Sequence, residues 1–270
     1  MWMPAESSVG DLRTSGIDCV LRAYVDESYD SKTMCVGGWL CHEASWKLIE
    51  PKVGQRIEYE RRRSIRRGEL PISRYHATDC ANLKKEFSER NGWDIPRQIQ
   101  LTKRLVDILA SVSPRPVGIA VGLTLDDLRA ARPDLNEEMT KWVAYFLCMC
   151  ECFLNLGEVL DAASPTERVT VIHEHSPHFN SAALAAYNQM FESKKFPYAR
   201  YFVSIMPGRW QDFPALQPAD LLAYEGFKLT AARKRGRDDL RKSLQAVIGH
   251  GIDIRAGFYK SHGLKELTGG

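Results

Sequence analysis

Val20-Leu21-Arg22-Ala23-Tyr24-Val25-Asp26-Glu27-Ser28 is the stretch of sequence that decides the fold. Five of the six residues from Val20 to Val25 are apolar or aromatic, which predicts a strand buried on both faces. Strand alternation sends Asp26 and Glu27 to opposite faces and puts Tyr24 on the face of Asp26. A polar turn would also explain Asp-Glu-Ser, because Asp and Ser favour turns. Two later apolar segments that also lead to a carboxylate favour a functional site.

The composition is that of a soluble globular protein. The chain has 270 residues, of which 44% are hydrophobic and 26% are charged, and this length allows one large domain with a full core. No repeat, low-complexity tract or linker divides the sequence. Residues 18–270 are therefore predicted to form a single domain after a flexible tail at residues 1–17.

Cysteine usage and hydropathy predict a cytoplasmic protein with no membrane partner. Seven cysteines without a Cys-x-x-Cys pair indicate reduced thiols. Cys148, Cys150 and Cys152 lie in a very apolar stretch and are expected to be buried hydrophobes rather than metal ligands. No signal peptide is visible, and the run from Trp142 to Leu154 is too short to span a bilayer, so we expect a buried core helix there.

The order of predicted elements indicates an α/β fold with a mixed five-stranded sheet. Apolar runs predict strands at 20–25, 33–40, 117–123, 168–172 and 201–205, and helical periodicity predicts helices at 43–67, 96–112, 136–160, 181–193 and 218–233. The short first connection makes the first two strands antiparallel. Helices that alternate with the later strands would cover the sheet. This is the element order of a ribonuclease H-like domain, with residues 43–114 as a helical insertion between the second and third strands.

Three acids occupy comparable positions in this pattern. Asp26 ends the first strand, Glu174 ends the fourth, and Asp220 falls in the first turn of the last long helix. If the first and fourth strands are parallel neighbours, these acids can meet at one sheet edge. Converging carboxylates repel one another unless they are protonated or bridged by a cation, and their oxygens suit Mg²⁺ or Mn²⁺. Two such ions about 4 Å apart would support phosphodiester cleavage by water.

Two of these acids also have a structural interpretation. Asp220 lies near a helix start, where an acid is favoured by the free N–H groups and the helix dipole. Glu174 could pair with Arg168 or with an arginine of the insertion. The sequence alone leaves both interpretations open beside the catalytic one.

The histidines near these acids are less specific signals. His173 and His175 flank Glu174 and are expected to be packing or hydrogen-bonding residues. His76 lies close to Asp79 in a polar, irregular stretch. Acid/base catalysis and local turn bonding are equally compatible with that setting.

Basic residues form two blocks that are candidates for nucleic-acid contacts. The net charge of +3 is too small to indicate a partner, but the clustering could present cations to phosphates. A solvated helix surface is the alternative explanation for each block. The candidate arginines are Arg62, Arg63, Arg66, Arg67, Arg233 and Arg235.

Four motifs together resemble the large bacterial and phage-associated family known as domain of unknown function 3800, which is grouped with ribonuclease H-like folds. They are Asp26-Glu27-Ser28, Tyr75-His76-Ala77-Thr78-Asp79, the acid after the Val-rich fourth strand, and Gln217-Pro218-Ala219-Asp220-Leu221-Leu222-Ala223-Tyr224. The similarity spans about residues 20–230. The resemblance implies that Asp26, Glu174 and Asp220 bind metal and that Glu27 and His76 occupy the family's other motif positions.

Two positions depart from that family pattern. Tyr29 stands where the family usually has Gly, which would alter the hairpin turn. Arg74 stands where an acid commonly precedes the histidine by two residues, and this change removes a ligand of a full two-metal site.

The leading hypothesis is a metal-dependent nuclease acting on DNA or RNA. Asp26, Glu174 and Asp220 would hold Mg²⁺ or Mn²⁺, Glu27 or His76 would assist, and the arginine blocks would bind phosphates. The alternative is a catalytically degenerate nucleic-acid-binding or regulatory protein on the same fold. An actin-like nucleotide-binding enzyme is a weaker third hypothesis, because no Gly-rich phosphate loop follows the first strand.

Overall fold

The chain folds around one mixed sheet. The computed structural model describes residues 20–163, 166–193, 196–238 and 240–259, so the predicted tail at residues 1–17 lies outside the described residues. Within those ranges the strands are β1 (Val20–Tyr29), β2 (Thr33–His42), β3 (Val117–Thr124), β4 (Arg168–Glu174), β5 (Phe202–Gly208) and β6 (Ile254–Phe258).

Eight α-helices lie between and beside these strands in the same described ranges. They are α1 (Glu43–Arg66), α2 (Ala77–Ala81), α3 (Ile95–Ala110), α4 (Leu125–Ala131), α5 (Glu137–Ala163), α6 (Asn180–Glu192), α7 (Leu216–Arg233) and α8 (Lys242–Gly249). The helices α1, α2 and α3 all fall between β2 and β3, at the position predicted for the insertion.

The strand order across the sheet is β5-β4-β1-β2-β3-β6. The strand β1 is antiparallel to β2, as the sequence predicted, and it is parallel to β4, which was the condition for Asp26 and Glu174 to meet; β3 and β6 are also parallel. The prediction of five strands was wrong, because β6 adds a sixth at the edge beside β3. The strand β6 is only partly buried, and its sequence lacks the continuous apolar run that marks the other strands. The sequence pattern therefore did not predict it.

Both faces of the sheet are covered, which explains the unbroken apolar run of β1. Tyr24 packs in a core with α7, α1 and α3, while Val25 packs in a second core with α5 and α6. The helix α5 is long and apolar enough to cross a membrane by length and composition, but 61% of its most apolar window is buried. It packs on β2, β3 and α6 as a core helix, which is consistent with a soluble protein. The cysteines of the described residues are all buried free thiols.

The insertion is attached to β1 by polar as well as apolar contacts. Trp46 in α1 donates from its indole N–H to the carbonyl of Arg22 at 3.0 Å. Tyr24 donates from its hydroxyl to Glu50 at 2.7 Å, and the Tyr24 and Trp46 rings meet edge to face at 4.8 Å. These contacts fix α1 across the strand that carries Asp26.

Candidate functional site

Asp26 and Glu174 lie side by side at the ends of neighbouring parallel strands. The pairing of β1 with β4 runs in register up to Val25 opposite His173, and the two acids are the next residue on each strand. Neighbouring strands lie about 4.8 Å apart, so the backbones place both carboxylates at one point of the sheet edge. The predicted meeting of these two acids is therefore confirmed.

The helix α7 brings Asp220 to the same edge because β2 lets it approach closely. Gly37 is the β2 partner of Asp26, and a Cβ atom there would lie 2.8 Å from the backbone of Ala223 in α7. Trp39 donates from its indole N–H to the carbonyl of Pro218 at 2.7 Å. The absence of a side chain at Gly37 and this hydrogen bond together seat the first turns of α7 beside Asp26.

Asp220 lies two residues deeper in its helix than the sequence predicted. The helix α7 begins at Leu216 rather than Pro218, so Asp220 is its fifth residue. It is 5% exposed, and its Oδ2 accepts a hydrogen bond from the backbone N–H of Ala77 at 2.8 Å. Asp220 therefore binds the backbone of another segment and does not stabilise the first turn of its own helix. The prediction that it lies in the first helical turn was wrong.

The segment before α2 is bound to the start of α7 at two points. The backbone N–H of Tyr75 donates to the side-chain oxygen of Gln217 at 2.7 Å, and Ala77 donates to Asp220 as described. Arg74 precedes the anchored Tyr75, and His76 lies between the two anchored residues. The insertion thus contributes two basic side chains to the edge where the acids meet.

Burial, followed by repulsion among the acids, determines the electrostatics of this site. Burial raises the pKa of Asp26 well above its usual range, and the neighbouring charge of Asp220 is the next cause. The charges of Glu27 and Glu174 raise the pKa of Asp26 further. Burial also raises the pKa of Asp220, against the opposing charges of His76 and Arg74. Four carboxyl groups therefore interact at one sheet edge.

Glu27 belongs to this group although it leaves β1 on the other face. Burial and the charge of Glu174 raise its pKa to about 7, while a hydrogen bond to the Ser176 side chain opposes the rise. The Oε2 atom of Glu27 is buried and has no hydrogen-bond partner among the described residues. The same is true of the Tyr145 hydroxyl. Glu27 and Asp26 also raise the pKa of Tyr145, after burial. A buried carboxylate oxygen without a partner can accept an additional cation or donor.

Arg74 provides the compensating charge for these acids. Its Nη1 lies 3.3 Å from Oε1 of Glu174, and the two side chains are 33% and 17% exposed. Burial raises the pKa of Glu174 to about 7, and Arg74 is the largest opposing influence. The expectation that an arginine of the insertion could pair with Glu174 is confirmed.

His76 forms a separate pair with Asp79. Its Nδ1 lies 2.9 Å from Asp79 Oδ2, which also contacts Lys85 at 3.0 Å. His76 is the residue that caps α2, and the backbone N–H of Asp79 lies 3.4 Å from the same ring nitrogen. As the cap of α2, Nδ1 accepts a hydrogen bond from the Asp79 N–H, whereas the contact with Asp79 Oδ2 is a hydrogen bond only when Nδ1 carries a proton.

His173 fills a structural role, as expected. It is 2% exposed, and its Nδ1 lies 3.0 Å from the carbonyl oxygen of Glu174. Burial lowers the pKa of His173 to about 4, so the ring is neutral at physiological pH.

The arginines of the first block are paired mainly with acids of their own segment. Arg62 contacts Glu58 at 2.7 Å, Arg63 lies 3.8 Å from Glu60, and Arg67 lies 3.8 Å from Glu69, while Arg66 is exposed. A surface pocket of about 570 Å³ lies beside this block, and it is lined by Arg63, Asp94, Pro96, Arg97, Ile99, Gln100, Lys103 and Arg104. None of the four acids lines this pocket.

The second block lies far from the acids. Arg233 is thirteen residues beyond Asp220 in α7, which corresponds to about 20 Å along the helix axis. It contacts Asp238 at 3.0 Å, and Arg235 donates from Nε to the carbonyl of Ala231. These arginines could contact only parts of a ligand distant from the acids.

Several contributors to the site carry no clear sequence signal. Ser176 follows β4 by two residues, and Gln217 lies in a motif where the acid drew attention. Tyr145 lies within the apolar run of α5 and reads as a core residue. Only Asp79, three residues after His76, could have been found from spacing, because that spacing is typical of a side chain bonding back to a helix cap.

The donor set is chemically suited to a hard divalent cation. Within the described ranges, no group of three or more His, Cys, Asp or Glu side chains is found that could hold a metal ion as the side chains stand. The carboxyl groups of Asp26, Glu174 and Asp220 nevertheless act electrostatically on one another from three elements, and Glu27 Oε2 has no partner among the described residues. Such oxygens are the ligands preferred by Mg²⁺ and Mn²⁺.

Fold and site together define an α/β protein with a cluster of four acids, two buried and two partly buried, at the edge of a mixed sheet. Comparisons with protein-family models, with curated proteins and with solved structures found no match. The chemistry of the site therefore has to carry the functional proposal.

Proposed function

We propose that this protein is a divalent-metal-dependent nuclease that hydrolyses phosphodiester bonds in DNA or RNA. The observation that carries the proposal is the convergence of Asp26, Glu174 and Asp220 from β1, β4 and α7. Four mutually repelling carboxyl groups with one guanidinium are a costly arrangement for a purely structural site. A site that binds cations explains why the chain keeps it.

A ribonuclease H-like fold is part of this proposal. The order β5-β4-β1-β2-β3, with three antiparallel strands followed by two parallel ones, supports it, and β6 would be an addition. The resemblance of the motifs to domain of unknown function 3800 points in the same direction. Fold alone does not establish activity, so the acids remain the main argument.

Each side chain has a role in this proposal. Asp26, Glu174 and Asp220 hold Mg²⁺ or Mn²⁺, which when bound activates water and stabilises the charge on the phosphodiester oxygens. His76, oriented by Asp79, accepts or returns a proton at Nε2. The first arginine block contacts phosphates of a longer nucleic acid, and Arg63 lines the surface pocket of about 570 Å³ beside this block. We propose that the protein acts in the cytoplasm and that its partner there is nucleic acid.

A second function, nucleic-acid binding without turnover, is favoured by one observation. Arg74 occupies a position beside Glu174 where a cation would otherwise lie, and it forms an ion pair there. If that pair is permanent, the guanidinium replaces the metal and the protein is a binding or regulatory module.

Incubation with labelled nucleic acids separates these two functions. Purified protein is mixed with single- and double-stranded DNA and RNA in Mn²⁺, Mg²⁺ or EDTA. We expect metal-dependent cleavage that is lost in Asp26→Asn and in Glu174→Gln but kept in Asp134→Asn, an exposed acid outside the site. Salt-sensitive binding without cleavage in any metal would support the binding function instead.

A further inference from the structure

Arg74 has unused hydrogen-bonding capacity at the acid site. Glu174 is its partner among the described residues, and a single contact at 3.3 Å joins them. A guanidinium carries five N–H donors in a planar fork and binds a carboxylate best through two short parallel hydrogen bonds. The observed pair is longer than such a contact, and a third of the Arg74 side chain is exposed.

The backbone around Arg74 is fixed while its side chain is not. Tyr75 and Ala77 are hydrogen-bonded to Gln217 and Asp220 of α7, so the position of the Arg74 Cα atom is tied to the acid cluster. The Arg74 side chain is 33% exposed, and it can turn toward solvent without breaking these backbone hydrogen bonds.

We infer that Arg74 is an exchangeable counter-ion, which neutralises Glu174 in the metal-free protein and binds a phosphate of the nucleic acid once divalent cations occupy the acids. The inference rests on the proposed function and adds a substrate-binding role for a residue outside the acid set. Two positive charges compete for Glu174, so cation binding releases the guanidinium. Arginine's planar fork then matches two oxygens of a phosphodiester.

This role predicts that Arg74→Gln has opposite effects on the binding of Mn²⁺ and on the binding of an oligonucleotide. Mn²⁺ binding to the metal-free protein is followed by the loss of the free-ion electron paramagnetic resonance signal. Binding of a fluorescent single-stranded phosphorothioate oligonucleotide, chosen to resist hydrolysis, is followed by anisotropy in Mn²⁺ and in EDTA. The variants are Arg74→Gln, Arg74→Lys and, as an exposed arginine control, Arg132→Gln.

We expect Arg74→Gln to bind Mn²⁺ about tenfold more tightly, because a competing positive charge is gone. It should bind the oligonucleotide about tenfold more weakly in Mn²⁺ and equally in EDTA. Arg74→Lys should keep the wild-type Mn²⁺ affinity and lose part of the oligonucleotide affinity, since it keeps the charge but not the fork. Arg132→Gln should change neither.

The outcomes separate this inference from the proposed function. Unchanged or weaker Mn²⁺ binding in Arg74→Gln, when the wild type binds Mn²⁺ through Asp26, overturns the role of Arg74 alone. Mn²⁺ binding that appears only in Arg74→Gln overturns the exchange, because the guanidinium then excludes the cation, and it also refutes native metal-dependent catalysis. Absence of Asp26-dependent Mn²⁺ binding in both proteins overturns both ideas.

Discussion

Glu27→Gln should stabilise the metal-free protein much more at pH 8 than at pH 5. Burial and Glu174 raise the pKa of Glu27 from an ordinary value of 4.5 to about 7. Between these values the folded protein keeps a proton that the unfolded chain has released, so the free energy of unfolding falls as the pH rises through this window. Below pH 4.5 both states are protonated and the penalty disappears.

The magnitude follows from the size of the pKa change. A rise from 4.5 to about 7 corresponds to about 3 kcal/mol between the neutral and charged folded forms. Charge sharing with Glu174 and partial solvent access reduce this, so we expect a gain of about 2 kcal/mol for Glu27→Gln at pH 8. Gln has nearly the same shape as protonated Glu, so the gain should fall to less than about 1 kcal/mol at pH 5, which is only half a unit above the ordinary value.

Urea unfolding in EDTA at pH 5 and pH 8 measures this effect. The matched control is Glu138→Gln, an exposed glutamate in the first turn of α5, which should not reproduce the pH-dependent gain. A stability difference between wild type and Glu27→Gln that is the same at both pH values would refute the reasoning, because Glu27 would then not titrate above its ordinary range.

Three other substitutions test the packing that forms the site. Gly37→Ala places a Cβ atom 2.8 Å from the backbone of α7 and should lower the free energy of unfolding by about 3 kcal/mol, measured by chemical unfolding. The control Gly54→Ala, where nothing lies within 4 Å of the added Cβ atom, should instead stabilise α1 by about 0.5–1 kcal/mol. Equal effects of the two substitutions would contradict the close approach of α7. Arg97→Met removes the contact at 3.1 Å with the fully buried Glu60 but leaves Arg56 and Arg63 beside that carboxylate, and it should cost about 3 kcal/mol. Part of this loss should be recovered in the double variant with Glu60→Gln, and additive losses would contradict the pairing. Tyr145→Phe removes a buried hydroxyl without a described partner and should leave the melting temperature unchanged or slightly higher, and a large loss would reveal a partner for it.

Much of the fold was predictable because its strongest signals are local. The apolar run of β1 is buried on both faces, and the short turn after it forces β2 to be antiparallel. The Val-rich start of β4 has the same character, and its parallel pairing with β1 puts Asp26 beside Glu174. Apolar periodicity also identified α5 as a core helix.

The remaining features depend on tertiary contacts that sequence patterns do not encode. The strand β6 is short and only partly buried, and α8 follows a basic stretch that reads as surface. The start of α7 is set by Trp39 and Gly37 in another element. Glu174, the partner of Arg74, is one hundred residues away in the chain. An arginine at position 74 therefore suggested only that a metal ligand was lost, whereas the structure shows an ion pair.

The central claim is that Asp26, Glu174 and Asp220 share a divalent cation, and calorimetric titration of Mn²⁺ tests it most directly. The titration is performed on EDTA-treated wild type, on Asp26→Asn and on Asp134→Asn. We expect saturable binding to wild type and Asp134→Asn and at least a tenfold loss of affinity in Asp26→Asn. Equal binding by all three proteins, or no binding by the wild type, would contradict the claim.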